Sequence, residues 1–313
     1  MARLVIVDGH AIAHRAYHSI PPLTSSGQPV NAVYGFYSML LTALDQLNPQ
    51  YLVVCLDSPG PNFRNEEFLG YRAKRKPADH DLISQLPLLP DTLETARISH
   101  YAVGGFEADD LIATITYLAL KKTGKKSHRP LIDKVTIITG DKDLMQLVSD
   151  KVELFVPTRG LSETKTYDPA EVRIKLGVDP SGVIDLKALM GDMSDNYPGV
   201  AGIGPKAATD LLSQYGTLDN IYSHLEEIKP SLREKLEKDR QNAYLSQKLA
   251  TLVSNIPLKF KLKSARWNDR NALNLLPLFD QYNFKSLSAR LQKKYQVKKP
   301  LKSKPDSNQG SLF

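Results

Sequence analysis

One cysteine, Cys55, leaves the chain unable to close an internal disulfide, and a lone thiol within the apolar run YLVVCLD is core filler rather than a nucleophile. No apolar stretch approaches the ~18–20 residues that cross a bilayer. The opening MARLVIVDG turns charged and glycine-bearing too early for a secretory leader. A soluble, cytoplasmic protein with no membrane partner is therefore expected. Internal repeats are lacking. Acidic charge is in the minority, with 34 Asp and Glu against 41 Lys and Arg, a net charge of +7. That balance suits a polyanionic partner, although many proteins share it and it identifies none by itself.

What is present begins with alternation. Short β-branched runs, RLVIVD (3–8), YLVVCLD (51–57) and KVTIITGD (134–141), are separated by stretches of helical periodicity such as 31–47 and 107–121. This predicts an α/β fold with a mostly parallel sheet flanked by helices over 1–177. From about 178 the β-branched runs fade, and segments 180–190, 205–214, 217–223, 229–237 and 240–252 predict an all-helical second domain to about 290. The final residues, 291–313, are rich in Lys, Pro and Ser and predict a disordered basic tail.

Each predicted strand ends in an aspartate: Asp8, Asp57 and Asp141. One such residue is ordinary turn or cap chemistry. Three together lie where ligands bind in open α/β sheets, outside the carboxyl ends of the strands. GFEADDLIATI (105–115) adds Glu107, Asp109 and Asp110 at the start of a helix, where acidic residues also complement the helix dipole. Glu107 and Asp110 nevertheless share a helix face, and a cation would relieve their repulsion. TGDKDLMQLV (139–148) supplies Asp143 beside Asp141, and GDMSDNYPGV (191–200) supplies Asp192 and Asp195. Nine carboxylates without His or Cys point to Mg²⁺ or Mn²⁺ rather than zinc, and such a set can hold two ions about 3.5–4 Å apart around a phosphate.

These residues carry a family resemblance. VDGHAIAHRAYHSI (7–20), AVYGF (32–36), LDSPGPNFRNEEFLGYRAKRKP (56–77), GFEADD (105–110), TGDKDL (139–144) and GDMSDNYPGVAGIGPKAA (191–208) resemble the bacterial 5′ nuclease family. That family comprises the N-terminal 5′→3′ exonuclease domain of DNA polymerase I, its free-standing relatives and the flap endonucleases. The resemblance is collinear from about residue 3 to 290, and the GDxSDNxPGVxGIG string is highly specific. It implies a PIN-like, resolvase-like nuclease domain followed by a helical domain bearing a helix-hairpin-helix. It also implies a metal-dependent enzyme cutting DNA at 5′ ends, nicks and flaps in Okazaki-fragment maturation and repair. All nine acidic positions are filled. Asp8, Asp57, Glu107, Asp109 and Asp110 would form one metal site, and Asp141, Asp143, Asp192 and Asp195 the other, with some sharing.

The resemblance further places 62–90 on a helical arch over the site. There Arg72 and Arg75 would reach the scissile phosphate, Tyr71 would stack on a displaced base, and Lys74 would contact DNA; cations beside an aromatic suit a single strand. The family usually has Lys where Arg72 stands, and commonly Tyr where His14 stands, so both positions depart from the pattern. Arg15 lies in the same motif as His14, and His10 and Arg64 also fall in matched motifs without assigned roles. GVAGIGPKAATDLL (199–212) lacks the third glycine and the preceding strand of a dinucleotide fingerprint. By resemblance, Gly202, Gly204 and Lys206 belong to the hairpin that holds duplex phosphates without reading bases, with K⁺ a candidate second cofactor. At the end of the chain Gln309, Leu312 and Phe313 match the Q-x-x-L-F pattern that docks on a replicative sliding clamp, a low-specificity motif on a flexible tail. Its terminal position suggests a stand-alone nuclease, and a monomer is expected. Two other readings stay open: a PIN-type ribonuclease, which would not explain the hairpin, and a non-catalytic branched-DNA-binding module, which would not need every carboxylate.

Overall fold

In the computed structural model, residues 2–121, 131–159 and 163–296 are described. The first unit runs β1 (Arg3–Asp8), α1 (Gly9–Ser19), a two-stranded hairpin β2 (Thr24–Ser25) and β3 (Gln28–Pro29), α2 (Asn31–Leu47) and β4 (Tyr51–Cys55). It continues through α3 (Phe63–Glu67), α4 (His80–Gln85), α5 (Leu88–Thr95), β5 (His100–Tyr101), α6 (Ala108–Lys121), β6 (Lys134–Ile138), β7 (Val152–Arg159), β8 (Glu163–Tyr167) and α7 (Pro169–Leu176). The main sheet has the order β5-β4-β1-β6-β7-β8, parallel except for the antiparallel edge pair β7-β8.

The central strands are apolar throughout because both faces are covered. Leu4 and Ile6 of β1 face one core with Leu111, Ile112 and Ile115 of α6, whereas Val5 and Val7 face the other with Ile12 of α1 and Phe36 and Leu40 of α2. Strand register then fixes the functional edge. Asp8 is level with Cys55 and Val7 with Ile138, so Asp8 ends the middle strand, and Asp57 and Asp141 follow its two neighbours by a few residues. The expected α/β architecture is observed, with the two outer aspartates just past the strands instead of at their ends.

The second unit is helical: α8 (Val183–Met190), α9 (Pro205–Tyr215), α10 (Leu218–Ser223), α11 (Pro230–Lys238) and α12 (Arg240–Ala250). Three further helices, α13 (Asp269–Leu273), α14 (Leu275–Gln281) and α15 (Lys285–Tyr295), follow at the end of the stretch read as the second domain. Leu275, Phe279, Phe284 and Leu291 pack in the same core as α2, while Leu52 N–H and Trp267 N–H bond Ala265 O and Gln50 O at 2.8 Å. The chain thus returns to the first unit before residue 290. Helix also runs through 291–295, where a disordered tail was expected; Gln309, Leu312 and Phe313 lie outside the described residues. Among the described residues no helix is long and apolar enough to cross a membrane.

Candidate active site

Asp8 caps α1, its Oδ1 accepting from Ala11 N–H at 3.1 Å, while Oδ2 accepts from the Thr139 hydroxyl at 2.8 Å. Burial, then the charges of Asp57 and Asp141, push its carboxyl up to about 7 against those two hydrogen bonds. Asp57 Oδ1 accepts from Ala108 N–H at 2.8 Å, tying β4 to the start of α6, and His10 Nδ1 accepts from Asp57 N–H at 2.9 Å. Asp109, on the first turn of α6, has no hydrogen-bond or salt-bridge partner among the described residues, and burial together with Asp141, Asp8, Asp57 and Glu107 raises its carboxyl well above the usual range. Asp141 Oδ1 accepts from Asp143 N–H at 2.8 Å and links this group to the next.

The remaining ligand candidates are met by cations. Lys187 of α8 bridges Asp143 and Asp192, with Nζ 2.6 Å from Asp192 Oδ2. Burial and Asp141 lift Asp143 to about 7 despite Lys187, whereas Asp192, opposed only by burial, is held down at about 2 by Lys187 and Ser194. The loop carrying Asp192 and Asp195 closes on two glycines: a Cβ at Gly199 (φ +63°) would lie 2.1 Å from Gly191 N, and Gly191 itself has φ +71°. That contact explains the glycines at both ends of GDMSDNYPG.

Arg72 spans Glu107 and Asp195, with Nη1 2.5 Å from Glu107 Oε1 and Nε 2.9 Å from Asp195 Oδ1. Tyr71 donates to Glu107 Oε2 and Asp195 Oδ2, both at 3.1 Å. Burial still raises Glu107 against the pull of Arg72 and Arg64. Beside these residues lies a cavity of about 200 Å³ lined by Asp57, Asn62, Arg72, Gly105 and Glu107.

The structure therefore brings Asp8, Asp57, Glu107, Asp109, Asp141, Asp143, Asp192 and Asp195 to one cleft, yet among the described residues no three acidic side chains already surround a single point. Glu107, Asp143, Asp192 and Asp195 turn instead to Arg64, Arg72 and Lys187. Two expectations need correction. Asp110 is fully buried beside Glu107, and both its oxygens are taken by Arg64 at 2.8 Å, so they are occupied rather than open to an ion. Tyr71 is 4% exposed and hydrogen-bonded between two carboxylates, leaving no ring face for a displaced base. The arch is only partly helical: α3 and α4 flank turns over 69–74, at the end of which Lys74 and the following Arg75 are exposed.

His14 is exposed on α1, 4.6 Å from the ring of His18, and Arg15 has a buried Nε without a partner among the described residues. Gly202 (φ +78°) and Gly204 lead into α9, whose first turn has no side-chain cap, and Lys206 is exposed there. Sequence reasoning missed Lys187, Thr139 and Asn62, and gave Arg64 no role. A Lys five residues before Asp192 or a Thr two before Asp141 carries no signal until the fold puts them together.

The comparisons agree with this architecture. The family model for the 5′-3′ exonuclease N-terminal resolvase-like domain matches residues 3–177, and that for the 5′-3′ exonuclease C-terminal SAM fold matches 178–272. DNA polymerase I of Caldicellulosiruptor bescii is 40% identical over 292 residues, covering 92% of this chain and 33% of that protein. The thermostable DNA polymerase I of Thermus aquaticus is 38% identical, covering 87% and 31%. The chain spans about a third of the length of the curated relatives it matches. Among solved structures, the bacteriophage T5 flap endonuclease superposes with a TM-score of 0.67 at 20% identity, covering 94% of this chain and 99% of that one, which speaks to the fold. With consecutive family matches from residue 3 to residue 272, this chain belongs to the 5′-3′ exonuclease family and is a nuclease of that family.

Proposed function

We propose that the chain hydrolyses phosphodiester bonds of DNA at 5′ ends, nicks and 5′ flaps, in replication and repair, with two divalent ions, Mg²⁺ or Mn²⁺, at the acidic cleft. The single observation that carries this is Asp109: a buried carboxylate without a partner among the described residues, surrounded by the charges of Asp141, Asp8, Asp57 and Glu107. Buried among like charges, such a group is neutralised by a proton or by a cation, and a divalent ion competes for it through the neighbouring carboxylates at the same time. All-oxygen donors fit a hard divalent ion. Asp8, Asp57, Glu107, Asp109 and Asp141 would hold one ion, and Asp143, Asp192 and Asp195 would complete the second. Such ions supply a hydroxide-generating and charge-neutralising environment for in-line displacement. The T5 5′-exonuclease has been crystallised with zinc, and the T5 flap endonuclease with DNA and metal ions.

The chain's own groups then have separable tasks. Arg72 and Arg75 neutralise the scissile phosphate, and Arg72 is exchanged from Glu107 and Asp195 as the phosphate enters. Arg15, whose buried Nε has no partner among the described residues, and His14 line the approach from α1, and exposed Lys74 follows the strand. Gly202, Gly204 and Lys206 present the uncapped N-terminus of α9 to duplex phosphates, so binding is independent of sequence and weakens steeply with salt. A K⁺ at this hairpin would share the turn with Lys235, whose Nζ already donates to Gly202 O at 3.1 Å. The chain acts as a monomer in the cytoplasm, at the nucleoid. Gln309, Leu312 and Phe313 tether it to the sliding clamp, raising its concentration at nicks; equal clamp capture with and without 309–313 would refute the tether. Asp109→Asn tests the catalytic reading: cleavage should vanish while flap binding survives, and unchanged cleavage would overturn it.

A further inference from the structure

Among the described residues Arg64 is the largest fully buried side chain, 2% exposed, and each of its three guanidinium nitrogens is engaged. Nε donates to Leu249 O at 2.8 Å, Nη1 to Asp110 Oδ2 at 2.8 Å and Glu107 Oε2 at 3.3 Å, and Nη2 to Asp110 Oδ1 at 2.8 Å and Thr251 O at 3.3 Å. Its plane also lies over the Phe63 ring, 4.5 Å from the centroid. Asp110 is filled as completely. Oδ1 also accepts from Val253 N–H at 2.9 Å and Oδ2 from Glu107 N–H at 3.2 Å. An ionised carboxylate has about four lone-pair sites. Two donors on each oxygen leave none for an ion.

The groups joined here come from three parts of the molecule. Arg64 lies on α3 at the foot of the arch, Glu107 and Asp110 at the head of α6, and Leu249, Thr251 and Val253 at the end of α12 and just beyond, in the helical unit. We propose that Arg64 and Asp110 are a positioning pair, not part of the metal site: they hold the Glu107–Asp109 turn at a fixed distance from the helical unit that grips duplex DNA, and so set which phosphodiester bond reaches the cleft. This rests on the nuclease reading. Only Arg has the rigid fork to satisfy this set of acceptors, so Lys at position 64 would keep the charge and lose the alignment. Removing one partner of a buried pair leaves the other charge uncompensated, whereas removing both is far less costly.

The experiment is a rescue cycle. Mn²⁺ affinity by calorimetry and thermal melting are measured for Asp110→Asn, Arg64→Gln and the double variant, with Asp109→Asn for contrast. Cut positions are mapped at nucleotide resolution on a labelled double flap for Arg64→Lys. We expect Asp110→Asn to weaken Mn²⁺ binding roughly tenfold and the double variant to return to within about threefold of the original chain, as a coupled pair should. Arg64→Gln should not rescue Asp109→Asn. Arg64→Lys should scatter cuts over neighbouring bonds and lower kcat more than it raises KM. A double variant that binds Mn²⁺ no better than Asp110→Asn, or ten times worse than the original chain should that single variant not fold, would overturn the proposal. So would an Arg64→Lys enzyme that cuts the one original bond at the original rate. Should the unaltered chain cut no DNA, the nuclease reading falls, and non-additive melting in the cycle still decides whether the pair exists.

Discussion

Two sides of one cleft treat their carboxylates in opposite ways. On the strand side, Asp8 and Asp109 sit among Asp57 and Asp141 with, among the described residues, no basic side chain bound to any of them except His10 beside Asp57, and burial drives Asp8 to about 7. On the arch and loop side, Glu107 and Asp195 share Arg72, and Asp143 and Asp192 share Lys187. The first group stores repulsion that bound protons relieve in the metal-free protein and that a cation from solution would relieve in their place. The second carries its own cations, which on the proposed reading DNA and ions would have to share or displace. On the proposed reading, substrate entry and ion binding would be linked through Arg72 and Lys187, with the pair Arg64–Asp110 behind them.

The sharpest way to break this comparison is on the strand side. Asp109→Asn should lower cleavage by about 10³-fold or more, the scale of losing a central electrostatic element, with flap affinity by fluorescence anisotropy nearly unchanged; in EDTA the variant should melt higher than the original, because a repelled charge is gone. On the other side, Arg72→Ala should cost roughly 10²–10³-fold in kcat and lower the melting temperature in EDTA, since Glu107 and Asp195 lose their shared partner. Lys187→Met should destabilise the metal-free protein by about 3–5 kcal/mol, the cost of breaking a buried pair, and Mg²⁺ should recover most of that in a thermal melt.

The pH dependence separates the two sides further. Asp8 and Asp143 have folded-state values near 7, above the ordinary 3.8. The native state therefore holds more protons than the unfolded chain between those limits, and stability falls as pH rises from about 4 to 7. Asp192, held at about 2, acts the other way, but its contribution is lost only below 3.8. In EDTA the melting temperature should drop between pH 5 and 7.5, and saturating Mg²⁺ should flatten that slope. The smallest effect belongs to the helical unit: Lys206→Ala should weaken duplex binding a few-fold for every sequence and reduce the salt slope by about 1.

Much of this was legible in the residues. β-branched runs ending in aspartate placed three carboxylates at one sheet edge, and the helical segments of the second unit were found within a few residues of their ends. The composite string at 191–208 carried the family. What stayed hidden depends on distance in space. Asp110 and Asp109 are adjacent in sequence, yet a turn of 100° per residue sends one into Arg64 and the other into the cleft. Helices α13–α15 have ordinary amphipathic sequences, and nothing local says that they return to α2. Tyr71 reads as a stacking residue beside four cations, and the 191–200 loop together with the end of α12 packing around it makes it a buried donor.

The most direct test of the central claim is cleavage of a labelled double-flap DNA in Mg²⁺ and in EDTA, with a single-stranded RNA of the same sequence alongside. The account predicts Mg²⁺-dependent cutting near the base of the 5′ flap, none in EDTA and none of the RNA. Cutting of RNA alone, cutting that survives EDTA, or binding without any cutting would contradict it.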